Sequence, residues 1–281
     1  MLGHISFNPD ETRYFPGPEF WGTHQFSQNG IVTSGITQPP LLAISIRDIF
    51  TTVTDRQKAY VFIENVLPNV LKYHHYLETN RELDDSGLLT IIHPWEGGND
   101  NSPRFDQILE TINISEIPQE VISLVHDHRK DNKLGSSNDR PSFDDYYRYM
   151  YLVRLYKECQ WDYKKIVKES PFAMKDLTFN TMWVRANESL SELLTKLGRE
   201  DEAKLYMSGA HKTRKAITDC WDNEHKMYAH IDVTQERHKK IVEPTIDTFI
   251  PLCACAASSS FSWSAAVYLI LFNKYRRIVA D

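Results

Sequence analysis

The chain has 281 residues, with 32 basic against 38 acidic side chains and a formal net charge of -6. That length can bury roughly three quarters of the unfolded surface, and with no Pro/Gly/Ser-rich linker in view a single domain over 1–281 is the expectation. Lys and Arg are scattered rather than clustered, which argues against a nucleic-acid partner. The N-terminal MLGHISFNPDET has no basic region followed by an apolar core, so no export signal is read and a cytoplasmic location is expected. The longest apolar run, 261–272, is broken by serines and falls short of the about 20 residues that span a bilayer; it reads as a buried helix, with no membrane partner. Cys159, Cys220, Cys253 and Cys255 show neither disulfide nor zinc spacing.

In chain order, residues 1–38 are rich in Pro, Gly and aromatics without a helical period, and read as a long ordered loop packed down by Tyr14, Phe15 and Trp21. Pro39-Pro40 then opens a helix whose Leu41, Leu42, Ile44, Ile46, Ile49 and Phe50 are apolar nearly all round. Such a helix belongs inside, with Gln38 at its mouth, either satisfying amides of the helix start or binding a ligand. From 55 to about 81, Phe62, Val66, Val70, Tyr73 and Leu77 recur at the helical interval, with a kink expected at Pro68. A short apolar segment, 88–92, delivers the next loop.

That loop, HPWEGGNDNSPRFD at 93–106, combines Glu96, Asp100 and Asp106 with Arg104, Trp95, a Gly-Gly pair and two prolines. The mixture suits neither a helix interior nor a strand. Glycines let a ligand approach the main chain, and prolines limit motion. An indole beside carboxylates suits a sugar: the ring stacks on a pyranose while a carboxyl group, here Asp100, exchanges a proton with the glycosidic oxygen. The same residues also fit a surface loop whose acids cap neighbouring helices.

Beyond it, 107–137 reads as a short amphipathic piece and a charged, mobile insert at 126–137. Ser142 is an N-cap with Asp145 as its capping-box partner, and Phe143, Tyr146, Tyr147, Met150 and Val153 carry the helical period onward. Trp183, Leu190 and Leu197 mark a further helix closed by Gly198, and Ala203, Ala210 and Ile217 its antiparallel neighbour. The fragment 197–203 is like part of a tetratricopeptide repeat, but no second copy follows at the about 34-residue period such a scaffold needs. Residues 225–242 alternate as a hairpin whose first arm is 227–232, and two more helices start near 245 and 260. At least seven helices with almost no sheet make the fold class all-α.

The run at 93–106 resembles the signature of glycoside hydrolase family 63, most closely its mannosylglycerate and glucosylglycerate hydrolase branch. Stretches similar to the same branch follow its order: FNPDETRYFPGPEFWG (7–22), GIVTSGITQPPLLA (30–43), NDRPSFDDYYRYMYLV (138–153), WVRANESLSELLTKLG (183–198), TIDTFIPL (245–252) and FSWSAAVYLIL (261–271). The resemblance implies an (α/α)6 barrel, a six-hairpin toroid with its site at one end. It also implies an inverting hydrolysis of a small α-glycoside of the glycosyl glycerate type, by two acids about 6.5–9.5 Å apart and without metal or cofactor. Asp100 matches the proton donor, whose pKa would have to be raised by burial or a neighbouring carboxylate. Gln38, Trp95, Gly98, Arg140 and Tyr146 match positions that hold the sugar or its acidic aglycone, for which an arginine is suited through paired hydrogen bonds.

Two departures accompany the resemblance. The family's general base, a glutamate, and an aromatic-rich motif would fall between the matches to TFIPL and FSWSAA, yet the spacer 253–260 holds no carboxylate. The family's helix bearing tyrosine, tryptophan and aspartate would precede residue 1. The expectation is therefore an incomplete barrel, truncated at the N-terminus and internally deleted near 253–260, whose uncovered apolar faces invite pairing with another chain. Glu243 could stand in as base, although nothing in the motif match points to it. The alternative is a non-catalytic carbohydrate-binding or helical interaction protein.

Overall fold

The computed structural model describes residues 3–10, 14–26, 30–129, 140–234 and 238–255. Most of the charged insert, the apolar run 261–272 and the helix expected from 260 lie outside the described residues.

The N-terminal segment is a looped strap carrying one turn of helix, α1 (Pro18–Trp21), closed by Gly22 in the left-handed region at φ 62°. It is packed down as expected: Trp21 is fully buried, and its ring centroid lies 5.9 Å from that of Trp161. Helix α2 (Leu42–Thr52) follows Pro39-Pro40, and α3 (Arg56–Arg81), N-capped by Asp55, runs as one helix through Pro68. After the loop come α4 (Asp106–Leu109), α5 (Gln119–His128) and α6 (Phe143–Glu158). Helix α6 begins on the capping box expected from Ser142 and Asp145, each side chain bonding the other's backbone N–H. A short α7 (Tyr163–Glu169) and the strand β1 (Met174–Lys175) lead to α8 (Leu177–Lys196) and α9 (Glu200–Asp219).

The α8–α9 hairpin turns where the sequence predicts it. Gly198 takes φ 72°, and the N–H groups of Arg199 and Gly198 donate to the carbonyls of Leu194 and Thr195 at 2.9 and 3.0 Å, which satisfies the last turn of α8. Beyond α9 the chain forms β2 (Trp221–Asp222), β3 (Met227–Tyr228), β4 (His230–Asp232), β5 (Lys239–Ile241) and the short α10 (Pro251–Cys255). The arm expected at 227–232 is divided: β3 pairs back on β2, whereas β4 pairs antiparallel with β5 and with β1. The reason is that Met174 and Lys175 offer β4 a second edge from far along the chain.

Three apolar clusters hold these elements. The largest gathers Trp95, Phe105, Tyr149, Tyr156 and Phe172 between the loop, α3 and α6. A second joins α2, α3 and α8 through Ile46, Phe50, Ile63, Leu67, Leu190 and Leu193. A third unites α8, α9 and the strands. One expectation is corrected here: α2 is not enclosed all round. Only Ala43, Ile46 and Phe50 are buried, Ile49 is 44% exposed, and one stripe alone faces α3 and α8. Among the described residues no helix is long and apolar enough to cross a membrane.

Candidate active site

The loop 93–106 is held by side chains that point opposite ways. His93, fully buried, accepts the Trp95 N–H on Nδ1 at 3.1 Å, so its Nε2 carries the proton and donates to the Tyr149 carbonyl at 3.2 Å. Burial pushes its pKa down to about 3, which keeps the ring neutral. Residues Pro94–Gly97 make a 3-10 turn that Gly98 ends at φ 78°. Within that turn Glu96 faces the interior, where its carboxylate receives Arg81 at 2.6 and 3.1 Å and the N–H groups of Thr37 and Ile92 at 2.9 and 2.8 Å. Four donors on one buried carboxylate leave it nothing to offer a substrate. Arg104, also fully buried, pairs with Asp176 at 2.7 Å and Asp247 at 2.5 Å.

With Glu96 and Arg104 committed inward, the loop's other two carboxylates meet solvent: Asp106 is exposed where α4 begins, and Asp100 is part-exposed in the turn 99–102. Its backbone carbonyl accepts the Tyr149 hydroxyl. Its charge reaches the rings of His4 and Tyr149: burial holds His4 below its usual pKa while Asp100 opposes that fall, and burial together with Asp145 and Asp100 holds the Tyr149 hydroxyl protonated. Trp95 is 8% exposed, with His4 stacked nearly parallel to it at 6.3 Å and Tyr146 and Tyr149 set edgewise at 5.8 and 5.6 Å.

The structure therefore gathers most of the residues singled out in the sequence. Gln38 is exposed at the mouth of α2, where its side-chain Nε2 donates to the His4 carbonyl at 3.0 Å and its backbone carbonyl accepts the Tyr73 hydroxyl at 2.8 Å. Gly98 is exposed beside Pro39, which a Cβ would meet at 3.4 Å. Tyr146 lies between Trp95 and Phe15, whose centroid is 6.2 Å away. Arg140 is exposed just ahead of α6, and among the described residues no hydrogen bond or ion pair ties it to the others. The guanidinium at Tyr146 is that of Arg129, 4.4 Å above the ring, donating also to the carbonyls of Pro141 and Ser142.

His4, Tyr149 and Arg129 were not singled out in the sequence. Tyr149 follows Tyr146 at the helical interval, a signal that was available; His4 and Arg129 reach the site from segments with no local pattern pointing to it. A second group of carboxylates surrounds Asp106, whose pKa is raised to about 6 by partial burial and by the charges of Asp145, Glu110 and Glu243. Among the described residues no cluster of three or more metal-binding side chains occurs.

A carboxylate and an indole carried on one loop that is braced against a layer of helices suit a helical glycoside hydrolase. A family model described as the mannosylglycerate hydrolase MGH1-like glycoside hydrolase domain matches residues 1–269, and the chain belongs to that family. It is 35% identical over 245 residues to a mannosylglycerate hydrolase of Rubrobacter radiotolerans, covering 86% of this chain and 54% of the relative. A mannosylglycerate hydrolase of Thermus thermophilus is 34% identical, with 90% of this chain and 58% of the relative covered. The crystal structure of a family 63 mannosylglycerate hydrolase from Thermus thermophilus, in complex with Tris, superposes with a TM-score of 0.81 at 30% identity, over 99% of this chain and 62% of that one. The chain thus spans little more than half the length of these relatives, and its likeness to them extends to the (α/α)6-type helical fold.

Proposed function

We propose that this chain carries the proton-donor side of a glycosidase site for a small α-glycoside of the mannosylglycerate or glucosylglycerate type. The observation that carries the reading is that part-exposed Asp100 and the ring of Trp95 stand on one pinned loop and share His4 and Tyr149 as neighbours. In this reading Asp100 protonates the leaving oxygen, Trp95 and Tyr146 wall the pyranose, and Gln38 and the Gly98 main chain bind its hydroxyls. The glycerate carboxylate is met by Arg140 from the segment ahead of α6. The named activity of the relatives supports the substrate class: they are mannosylglycerate hydrolases, and one solved relative was crystallised with D-glycerate.

No residue takes the part of general base in this reading. Without one, turnover is expected to fall by about 10²- to 10⁴-fold relative to a site with both acids. That favours a second reading, a sugar-binding protein using the same pocket without chemistry, because the spacer 253–260 holds no carboxylate. Incubation with mannosylglycerate and with glucosylglycerate, followed for released sugar, decides between them. Release that Asp100→Asn abolishes supports the enzyme; calorimetric binding without release supports the binding protein; neither binding nor release overturns both.

A further inference from the structure

We propose that Asp247 is the positioning residue of the proton donor: one buried carboxylate grips both ends of the turn that presents Asp100. The proposal rests on the assignment of Asp100 above. Asp247 lies in the 3-10 turn Ile246–Thr248 and is 1% exposed. One of its oxygens accepts Thr178 Oγ1 at 2.9 Å and Asn99 Nδ2 at 3.4 Å. The other accepts Arg104 Nη1 at 2.5 Å, Thr245 Oγ1 at 3.1 Å and Ser102 Oγ at 3.3 Å.

Asn99 and Ser102 bracket Asp100, and the Ser102 N–H closes the same turn on the Asn99 carbonyl at 3.1 Å. Tyr149 holds the turn at its middle through the Asp100 carbonyl. The turn is thus fixed at three places, two of them through Asp247, and the Asp100 carboxyl is left out of the bracing. A carboxylate suits this place because five donors converge on it and it has no proton of its own to set against them. Balancing the charge of Arg104 does not require it, since Asp176 already pairs with the same guanidinium at 2.7 Å. What Asp247 adds beyond that pair is its hold on residues 99 and 102. The consequence is chemical: displacing a catalytic group by about 1 Å costs on the order of 10²-fold in rate.

The test compares Asp247→Asn with the double variant Asn99→Ala/Ser102→Ala, which removes only the two turn contacts and leaves the Asp247–Arg104 pair in place. Two quantities are measured: hydrogen exchange at the Ser102 amide against amides of α8 and α9, and kcat and KM for mannosylglycerate. The expected result for the double variant is an unchanged melting temperature, faster exchange confined to the turn, and kcat lowered by about 10- to 100-fold with KM little altered. Exchange and kcat both equal to the parent in the folded double variant would reduce Asp247 to a partner of Arg104 and overturn the proposal. Should Asp247→Asn fail to fold, the double variant still decides. A parent chain that releases no sugar counts against the glycosidase reading alone, because the exchange measurement reports the grip on the turn without turnover.

Discussion

Tyr149 donates its hydroxyl to the backbone carbonyl of Asp100 while its ring lies 5.6 Å from that of Trp95, so a single side chain of α6 touches both the proposed proton donor and the proposed sugar wall. Replacing Tyr149 by Phe keeps the ring and removes only the hydrogen bond. Loss of that bond is expected to cost about 1 kcal/mol of stability, seen as a lower urea midpoint, and to lower kcat more than it raises KM. A variant whose kcat equals that of the parent would show that the carbonyl needs no support from α6.

Glu96→Gln tests the inward pin of the loop. Arg81 is 1% exposed and its guanidinium, which also lies 4.5 Å above the Tyr163 ring, is held charged by Glu96 against the pull of burial. Removing one partner of such a pair leaves a buried charge uncompensated, an expected loss of about 3–5 kcal/mol in equilibrium unfolding. A loss under about 1 kcal/mol would mean that the neighbouring tyrosines suffice for Arg81.

The pH dependence of stability should carry the mark of His74. The ring is buried between α3 and α8, 4.8 Å from Trp183 and bonded through Nδ1 to Asn187 at 3.1 Å, and burial lowers its pKa to about 4 from an ordinary 6.5. A base whose folded pKa is depressed contributes stability that is whole above the unfolded pKa and is lost as pH falls toward the folded one. The expected loss between pH 6.5 and 4 is about 3 kcal/mol, which His74→Gln should remove from the slope. Urea titrations at pH 7 and pH 4 measure it, and equal slopes for parent and variant would contradict it.

Gly97 and Gly98 should fail differently when a methyl group is added. At Gly97 a Cβ would stand 2.9 Å from both Arg104 Nη2 and Phe105 Cζ, so the packed interior must give way, at about 1–3 kcal/mol. At Gly98 the space is open to within 3.4 Å of Pro39 and the difficulty is the φ of 78°, worth about 1–2 kcal/mol. Adding Phe105→Leu should restore part of the stability lost in Gly97→Ala and none of that lost in Gly98→Ala, as thermal melts of the two double variants would show.

Local devices were the most legible part of the chain. The Ser142–Asp145 capping box and the Gly198 closure of α8 involve partners within a few residues, so residue type and spacing suffice to place them. The apolar positions of α2 follow from the sequence, but their burial does not, because exposure depends on what packs against each face, and the buried stripe of α2 meets α3 and α8. In the loop, Trp95, Gly98 and Asp100 stood out as chemistry-bearing residues. Glu96 and Arg104 did not stand out as interior ones, since nothing local marks an acid or a base for the core.

By itself the sequence determined the helical class, the start of α6 and the end of α8, and the make-up of the loop at 93–106, because propensity, period and capping act over one or two turns. The helix expected near 245 is instead a 3-10 turn, Ile246–Thr248, ahead of α10. Only the tertiary structure decided which of the loop's charged side chains are buried: Glu96 and Arg104 turn inward, while Asp100 and Asp106 meet solvent. Arg81 arrives from the end of α3 to bind Glu96, and Asp176 and Asp247 arrive from more than seventy residues downstream to bind Arg104. A buried charge must be matched by a partner at contact distance, and folding alone brings partners so remote in sequence to that distance.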